Sequence, residues 1–326
     1  MADRPCEPLA RHVNMVNRGP PLRGAVPRLG PMPVTSPYVD ALATIPVREA
    51  ELDVLGSRTR YWEYGPLDRP VDLVLVHGFR GDHHGLESVI SQLPGLRIVS
   101  PDIPGFGAST AMDGTHSVQG YGLWLRAFLD ALDLVGTPLL GHSFGSIVVS
   151  HAVASGVPAS RVILVNPIAA DAMSGAYRAL VPLSRLYFHI GRLMSHTVAT
   201  AWYGMPLVTR IMSLALIRTK EPALRRWIHD EHRRSFAAVG DVRALAESYD
   251  ASLSTNVIAA AGGLGMDTLL IAGEQDHVAP IEGTRRLAAL VPHAELLVLS
   301  DVGHLIHYEK PVEAAAAIRT FLEAGS

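Results

Sequence analysis

The chain is 326 residues long, is 48% hydrophobic and carries a formal net charge of −3 at pH 7. That is enough apolar material to bury a full core in one large domain with an insertion, and the balance of charge excludes the concentrated basic face on which nucleic-acid binding relies. The single cysteine, Cys6, excludes an intramolecular disulfide framework and lies too near an end expected to be unstructured to be a nucleophile; no apolar segment approaches the length of a membrane span.

Residues 1–46 are rich in proline and arginine and show little periodicity. Pro20, Pro21, Pro31, Pro33 and Pro46 deny this region helix or central-strand structure, so an extended or disordered arm is expected, a floppy leader in preference to an arm laid over the rest of the chain. Charges and prolines also break residues 1–28, where a signal peptide would need an apolar core, and cytoplasmic residence is the default expectation. Two entry strands near 50–55 and 60–64 open the core. Residues 71–76 form a continuous apolar run of the kind buried on both faces of a parallel sheet, and His77-Gly78-Phe79-Arg80-Gly81 follows it. A strand over 96–100 leads into loop 102–109. Within 118–134, Tyr121, Leu125, Phe128, Leu129 and Leu132 recur at helical spacing. The apolar run 137–140 then precedes Gly141-His142-Ser143-Phe144-Gly145 and a helix-like stretch over 146–153. A strand over 161–165 ends at Asn166-Pro167. From about 168 to 262 no strand is evident, and 177–194, 208–217, 222–239 and 242–253 read as helices. Strands resume at 267–273 and 296–299. The expected fold class is α/β: a mostly parallel central sheet flanked by helices, with core residues 47–167 and 263–326 and a helical cap inserted over 168–262.

The Gly-x-Ser-x-Gly run at 141–145 is informative because of its setting. Between a strand and a helix it describes a nucleophile elbow, where a serine sits on a strained turn and small neighbours let two backbones pass close together. A nucleophilic serine needs a base, an orienter for that base and an oxyanion hole. His304, in the loop after the last strand and directly after Gly303, is the expected base; His307 is the rival, but it stands where a helical turn begins, and histidines on helix faces more often pack than catalyse. Asp276, in the loop closed by Val278-Ala279-Pro280, is the expected orienter, ahead of Glu274 and of Asp171 after the preceding strand. Backbone N–H groups of Phe79 and Phe144 are the expected oxyanion donors. His77 can equally brace its loop by hydrogen bonding. His83 and His84 read as loop or helix-start residues rather than metal ligands, because no H-E-x-x-H or similar spacing accompanies them.

With these pieces placed, the chain resembles the α/β-hydrolase superfamily over most of residues 50–326. His77-Gly78-Phe79, the loop from Asp102 through Pro104, Gly105, Phe106 and Gly107 to Ser109, and Gly303-His304 with Glu309 and Pro311 downstream add to the likeness. It looks like the capped branch that holds carboxylesterases, lipase-like enzymes, cofactor-free perhydrolases and carbon-carbon bond hydrolases. Serine at 143 departs from the epoxide hydrolases and haloalkane dehalogenases, which use aspartate there, and those activities are demoted.

The expected activity is hydrolysis of a carboxylic ester with an apolar acyl or alcohol group through an acyl-enzyme on Ser143, with no metal or organic cofactor required. The partner expected is a small apolar ester-like substrate. Substrate preference should lie in the cap, because insertions at the carboxyl ends of parallel strands form the ligand crevice. His77, Tyr187, Leu193, Met194, Trp202, Met212 and Val278 are the expected pocket residues. Rival expectations are a carbon-carbon bond hydrolase, which should favour a cap arginine such as Arg185 or Arg192 facing the pocket, an acyltransferase or perhydrolase using the same triad, and a small-molecule receptor on the same fold. Lys220 and Lys310 are the only lysines; the arginine skew suggests a high-GC bacterial genome, and Arg225-Arg226 and Arg233-Arg234 read as a solvated helix face.

Overall fold

A computed structural model describes residues 34–171 and 178–324. Its strands are β1 (Val47–Val54), β2 (Ser57–Tyr64), β3 (Leu73–Val76), β4 (Ile98–Pro101), β5 (Leu139–His142), β6 (Val162–Val165), β7 (Thr268–Gly273) and β8 (Ala294–Leu299). They form one eight-stranded sheet in the order β1-β2-β4-β3-β5-β6-β7-β8. β1 pairs antiparallel with β2, and β2 with β4; every later pairing is parallel. The hairpin between β1 and β2 turns through Leu55 and Gly56, both at positive φ, the conformation a two-residue hairpin loop requires. β3, β5 and β6 are buried at every position, as expected of short apolar strands covered by helices on both faces.

The helices in chain order are α1 (Val39–Ala43), α2 (Glu87–Ile90), α3 (Val118–Ala131), α4 (Phe144–Ala154), α5 (Val181–Arg192), α6 (His196–Tyr203), α7 (Pro206–Leu216), α8 (Pro222–Ser235), α9 (Val242–Ser254), α10 (Ile281–Leu290), α11 (Ile306–Glu309) and α12 (Pro311–Glu323). α3 starts where the Ser117 side chain accepts the Gly120 N–H, and it buries Tyr121, Trp124, Leu125, Phe128 and Leu129 along one stripe. The Trp124 indole N–H still finds a partner in the Thr59 hydroxyl, 3.1 Å away. One apolar cluster lies on the side of the sheet carrying α3 and α4, and a second lies beneath α2 and α12.

Between β6 and β7 the described residues hold helices α5 to α9 and no strand. The long helix expected over 177–194 is α5, reduced to Val181–Arg192; residue 177 lies outside the described residues. α6 is an addition that the sequence reading missed. Its apolar positions fall on too short a segment to show a period.

One expectation needs correction. Residues 34–46 are not wholly extended: α1 forms there, and the segment is docked. Val34 N–H donates to Asp230 of α8 at 3.2 Å, the Tyr38 hydroxyl donates to the Tyr308 carbonyl at 2.9 Å, and the Tyr38 ring meets Trp227 edge-on. Prolines bracket the segment without entering residues 38–45, which leaves room for one helical turn. Cys6 and the rest of the arm through residue 33 lie outside the described residues. Among the described residues, no helix is long and apolar enough to cross a membrane.

Candidate active site

β5 ends at His142 and α4 begins at Phe144, so Ser143 alone makes the turn, at φ 54° and ψ −118°. A residue with a Cβ adopts such a conformation only at a cost of about 1–3 kcal/mol, and surrounding contacts must impose it. Those contacts depend on two glycines. A Cβ at Gly141 would lie 2.4 Å from the Gly145 carbonyl oxygen, and one at Gly145 would lie 2.1 Å from that of Val76. No side chain fits at either place. The Ser143 N–H is tied to the Val165 carbonyl of β6 at 3.0 Å, and its own carbonyl accepts the Ser146 N–H at 2.9 Å.

The loops after β7 and β8 bring the other two groups to the serine. Ser143 Oγ and His304 Nε2 are 2.7 Å apart, and His304 Nδ1 and Asp276 Oδ2 are 2.7 Å apart. His304 and Asp276 are 8% and 4% exposed, so this chain of contacts runs through a largely water-free interior. Asp276 Oδ1 also accepts the N–H groups of Val278 and Ala279, both at 2.8 Å. Burial alone would push the Asp276 carboxyl up, but the His304 charge and hydrogen bond, with the Ala279 and Val278 N–H groups, outweigh it and hold the group below the usual carboxylate range. An ionised Asp276 can only accept, so Nδ1 of His304 carries the proton and Nε2 faces the serine with its lone pair.

Of the alternatives weighed, none joins this chain. Asp171 is exposed and accepts from the Asn256 side chain at 2.7 Å. Glu274 is exposed. His307 lies on α11 as expected and packs against His142 with ring centroids 4.2 Å apart. Burial drives His307 well below the usual histidine range and His142 down to about 3, so both stay neutral.

Phe79 and Phe144 both line the cavity that holds Ser143 and His304. Phe144 is the first residue of α4, where a backbone N–H has no partner within the helix. The Gly78 carbonyl is occupied by the Gly81 N–H at 3.1 Å and by His77 Nδ1 at 2.9 Å. In a trans peptide the Phe79 N–H points opposite to that carbonyl, so the two bonds aim it away from the turn. His77 therefore braces the loop, with Nε2 accepting the Ile103 N–H at 3.0 Å, and it also lines the cavity.

Two residues of this site escaped the sequence reading. Asn166, at φ 48° directly after β6, donates to Asp276 Oδ2 at 2.9 Å and to the Gly303 carbonyl at 3.1 Å, joining the loops that carry Asp276 and His304. Its one signal is its place at a strand end before a proline. Arg80, at φ 59° and 4% exposed, donates to the carbonyls of Tyr203 at 2.7 Å and of Phe236, tying the Phe79 loop to α6 and to the end of α8. A buried arginine looks like any other in a sequence with so many.

The cavity measures about 270 Å³. Met212 and Leu216 of α7 and Phe236 after α8 close it from above, and Ser143, Phe144 and His304 form its floor. Of the seven expected pocket residues, His77, Met212 and Val278 line it; Tyr187, Leu193, Met194 and Trp202 do not. Tyr187 and Trp202 stack at 5.2 Å and exchange hydrogen bonds with each other's carbonyls, at 3.0 and 3.1 Å, which joins α5 to α6. Leu193 is 75% exposed, and Met194 packs against the core cluster. The apolar surplus of this segment is spent on assembling its own helices. Among the described residues no arginine lines the cavity; Arg192 instead donates to the Ala246 carbonyl at 2.6 Å and pairs with Asp250.

A family model described as "alpha/beta hydrolase fold" matches residues 73–311. Similar proteins include the (E)-2-((N-methylformamido)methylene)succinate hydrolase of Acinetobacter baylyi, 23% identical over 83% of this chain and 97% of that protein. The 2-hydroxy-6-oxo-2,4-heptadienoate hydrolase of Pseudomonas putida is 27% identical over 77% of this chain and 89% of that protein. Among solved structures, a thermophilic esterase from Thermogutta terrifontis superposes with a TM-score of 0.69 at 21% identity, covering 85% of this chain and 98% of that one.

Proposed function

The chain belongs to the α/β-hydrolase fold family, and from that premise we propose that it hydrolyses a small carboxylic ester with an apolar acyl or alcohol group through an acyl-enzyme on Ser143. His304, oriented by Asp276, takes the Ser143 proton as Oγ attacks the ester carbonyl. The N–H groups of Phe79 and Phe144 hold the resulting oxyanion; such a donor is typically worth about 3 kcal/mol of barrier. His304 then gives its proton to the leaving alkoxide, and the C–O ester bond breaks. Water, deprotonated by the same imidazole, attacks the acyl-enzyme; collapse releases the acid and returns the proton to Ser143.

The observation that carries this reading is the unbroken contact from Asp276 through His304 to Ser143, at 2.7 Å and 2.7 Å, opening into a cavity roofed by Met212, Leu216 and Phe236. At about 270 Å³ the cavity lies just below the usual range for ligand sites, about 300–1,000 Å³, which favours a short substrate. The described cavity residues are mainly apolar, with Phe79, Ile168, Met212, Leu216, Phe236 and Leu253 among them, which favours an apolar ester over an acidic diketone substrate. Turnover of short p-nitrophenyl esters by the native protein and by Ser143→Ala, with mass detection of an acyl adduct on Ser143, tests the proposal. Turnover that survives the substitution undiminished removes the serine from the mechanism.

A further inference from the structure

Past the loop that carries Phe79, the chain enters a 3-10 turn, His83–Leu86, that runs directly into α2. One imidazole nitrogen from His83, one from His84 and a carboxylate oxygen of Glu87 lie there within 4.8 Å of one another. We propose that these three residues bind a divalent transition-metal cation of the zinc class.

His83 is the best-defined of the three. Its Nδ1 is 2.9 Å from Asp102 Oδ1, which also accepts the His83 backbone N–H at 2.7 Å, while Asp102 Oδ2 accepts the Ala108 N–H at 2.8 Å. Both carboxylate oxygens are accepting, so Nδ1 carries the proton and Nε2 the lone pair. The Trp62 indole stacks on the ring at 3.2 Å between centroids and fixes its plane. The residue is 4% exposed, and its Nε2 is buried without a hydrogen-bond partner. A buried lone pair with no donor is unfavourable, and a cation relieves it. A carboxylate on the far nitrogen of a histidine is also the usual support of a metal-ligating imidazole, because it fixes the tautomer and raises the basicity of the ligating nitrogen.

The other two residues complete an open set. His84 Nδ1 and Glu87 Oε2 are 3.2 Å apart, and Glu87 Oε1 is held by the Tyr64 hydroxyl at 2.9 Å. Glu87 lies four residues after His83 and three after His84, so one helical turn brings all three together. Two imidazoles and one carboxylate suit zinc, copper or nickel rather than calcium or magnesium, which prefer oxygen ligands. The His84 side chain is 56% exposed, which leaves the remaining coordination position to solvent. The role is structural: a cation here pins the turn whose Asp82, Gly85 and Leu86 line the cavity.

The test uses the full chain, stripped with a chelator and titrated with zinc chloride alone by calorimetry, with thermal unfolding followed in parallel. Saturable uptake of one zinc per chain and an upward shift in Tm are expected. His84→Ala removes an exposed side chain and Glu87→Gln keeps an acceptor for Tyr64; each weakens binding at least about tenfold, a loss typical even of outer-sphere partners. His196→Ala, at an exposed histidine of α6, leaves binding unchanged. Copper(II) quenches indole emission in the native protein, through Trp62, and not in His84→Ala. No saturable uptake, or uptake that survives both substitutions at full strength, overturns the site.

Discussion

The strained turn at Ser143 predicts a stability difference between two variants that both lack the serine hydroxyl. At φ 54° and ψ −118° the serine stores about 1–3 kcal/mol of backbone strain. Ser143→Ala keeps a Cβ and therefore keeps that strain; it loses the contact between Oγ and His304, worth about 0.5–1.5 kcal/mol. Ser143→Gly loses the same contact but releases the strain, offset by about 0.5–1 kcal/mol of extra freedom in the unfolded chain. The glycine variant should therefore be more stable than the alanine variant by up to about 2.5 kcal/mol, with about 1 kcal/mol the central expectation. For a chain of this size each kcal/mol moves Tm by about 1.5 °C. Urea unfolding of the two variants, paired with thermal melts, measures the difference directly. Both variants lack the serine hydroxyl, so any change in activity is common to the two and does not confound the comparison. A glycine variant no more stable than the alanine variant would refute the view that the fold forces this residue into an unfavourable conformation.

Two further outcomes follow from buried polar groups. His142 and His232 are pushed down to about 3 by burial, and His307 well below its ordinary 6.5, so between about pH 3 and 6.5 the unfolded chain binds protons that the folded chain refuses. His77, His116 and His229 are shifted down as well, so stability falls as pH falls through that window, by up to about 1.4 kcal/mol per pH unit for each group; His232→Gln should make the slope in urea midpoints between about pH 4 and 6 shallower by up to that amount, and an unaltered slope refutes the assignment. Arg80→Met keeps the bulk of the side chain but leaves the Tyr203 and Phe236 carbonyls without their buried donor, a loss of about 3 kcal/mol. Hydrogen exchange should quicken in α6 and at the end of α8 while β3, β5 and β6 stay protected; uniform exchange across the chain would deny the tie.

What was legible in the sequence was whatever local pattern determines. Continuous apolar runs marked β3, β5, β6 and β7 because strands buried on both faces leave no alternation to misread. The small residues at 141 and 145 marked the elbow because no Cβ fits beside those carbonyls. His304 and Asp276 were found by the order of groups along the chain, which the sheet order translates into space. Asn166 was not found, since its two bonds reach residues 110 and 137 positions away. The pocket was half legible for the same reason. Met212 and Val278 face the cavity, yet Tyr187 and Trp202 are equally apolar and face each other; composition counts such residues and cannot aim them. His83 and His84 were read as loop or helix-start residues because no ligand motif accompanies them; a turn of three to four residues, rather than a motif, brings Glu87 near them.

The strain in this molecule is concentrated rather than scattered. Six non-glycine residues have positive φ among the described residues: Leu55, Arg80, Asp133, Ser143, Asn166 and Asp301. Four of them follow the carboxyl ends of parallel strands, Arg80 after β3, Ser143 after β5, Asn166 after β6 and Asp301 after β8. Each precedes, or is, a group that meets in the cavity or braces it. A parallel sheet explains the coincidence, because its strands all deliver their chain reversals to the same edge, and a reversal tight enough to stop within one or two residues leaves the ordinary φ range. The buried strands beneath are packed against α3, α4 and α12, and they can hold such turns in place where an isolated loop would relax. The rigidity of the sheet is thus what allows Ser143, His304 and Asp276 to stand within hydrogen-bond reach of one another, and under the proposed mechanism little of the cost of ordering them falls on the reaction itself.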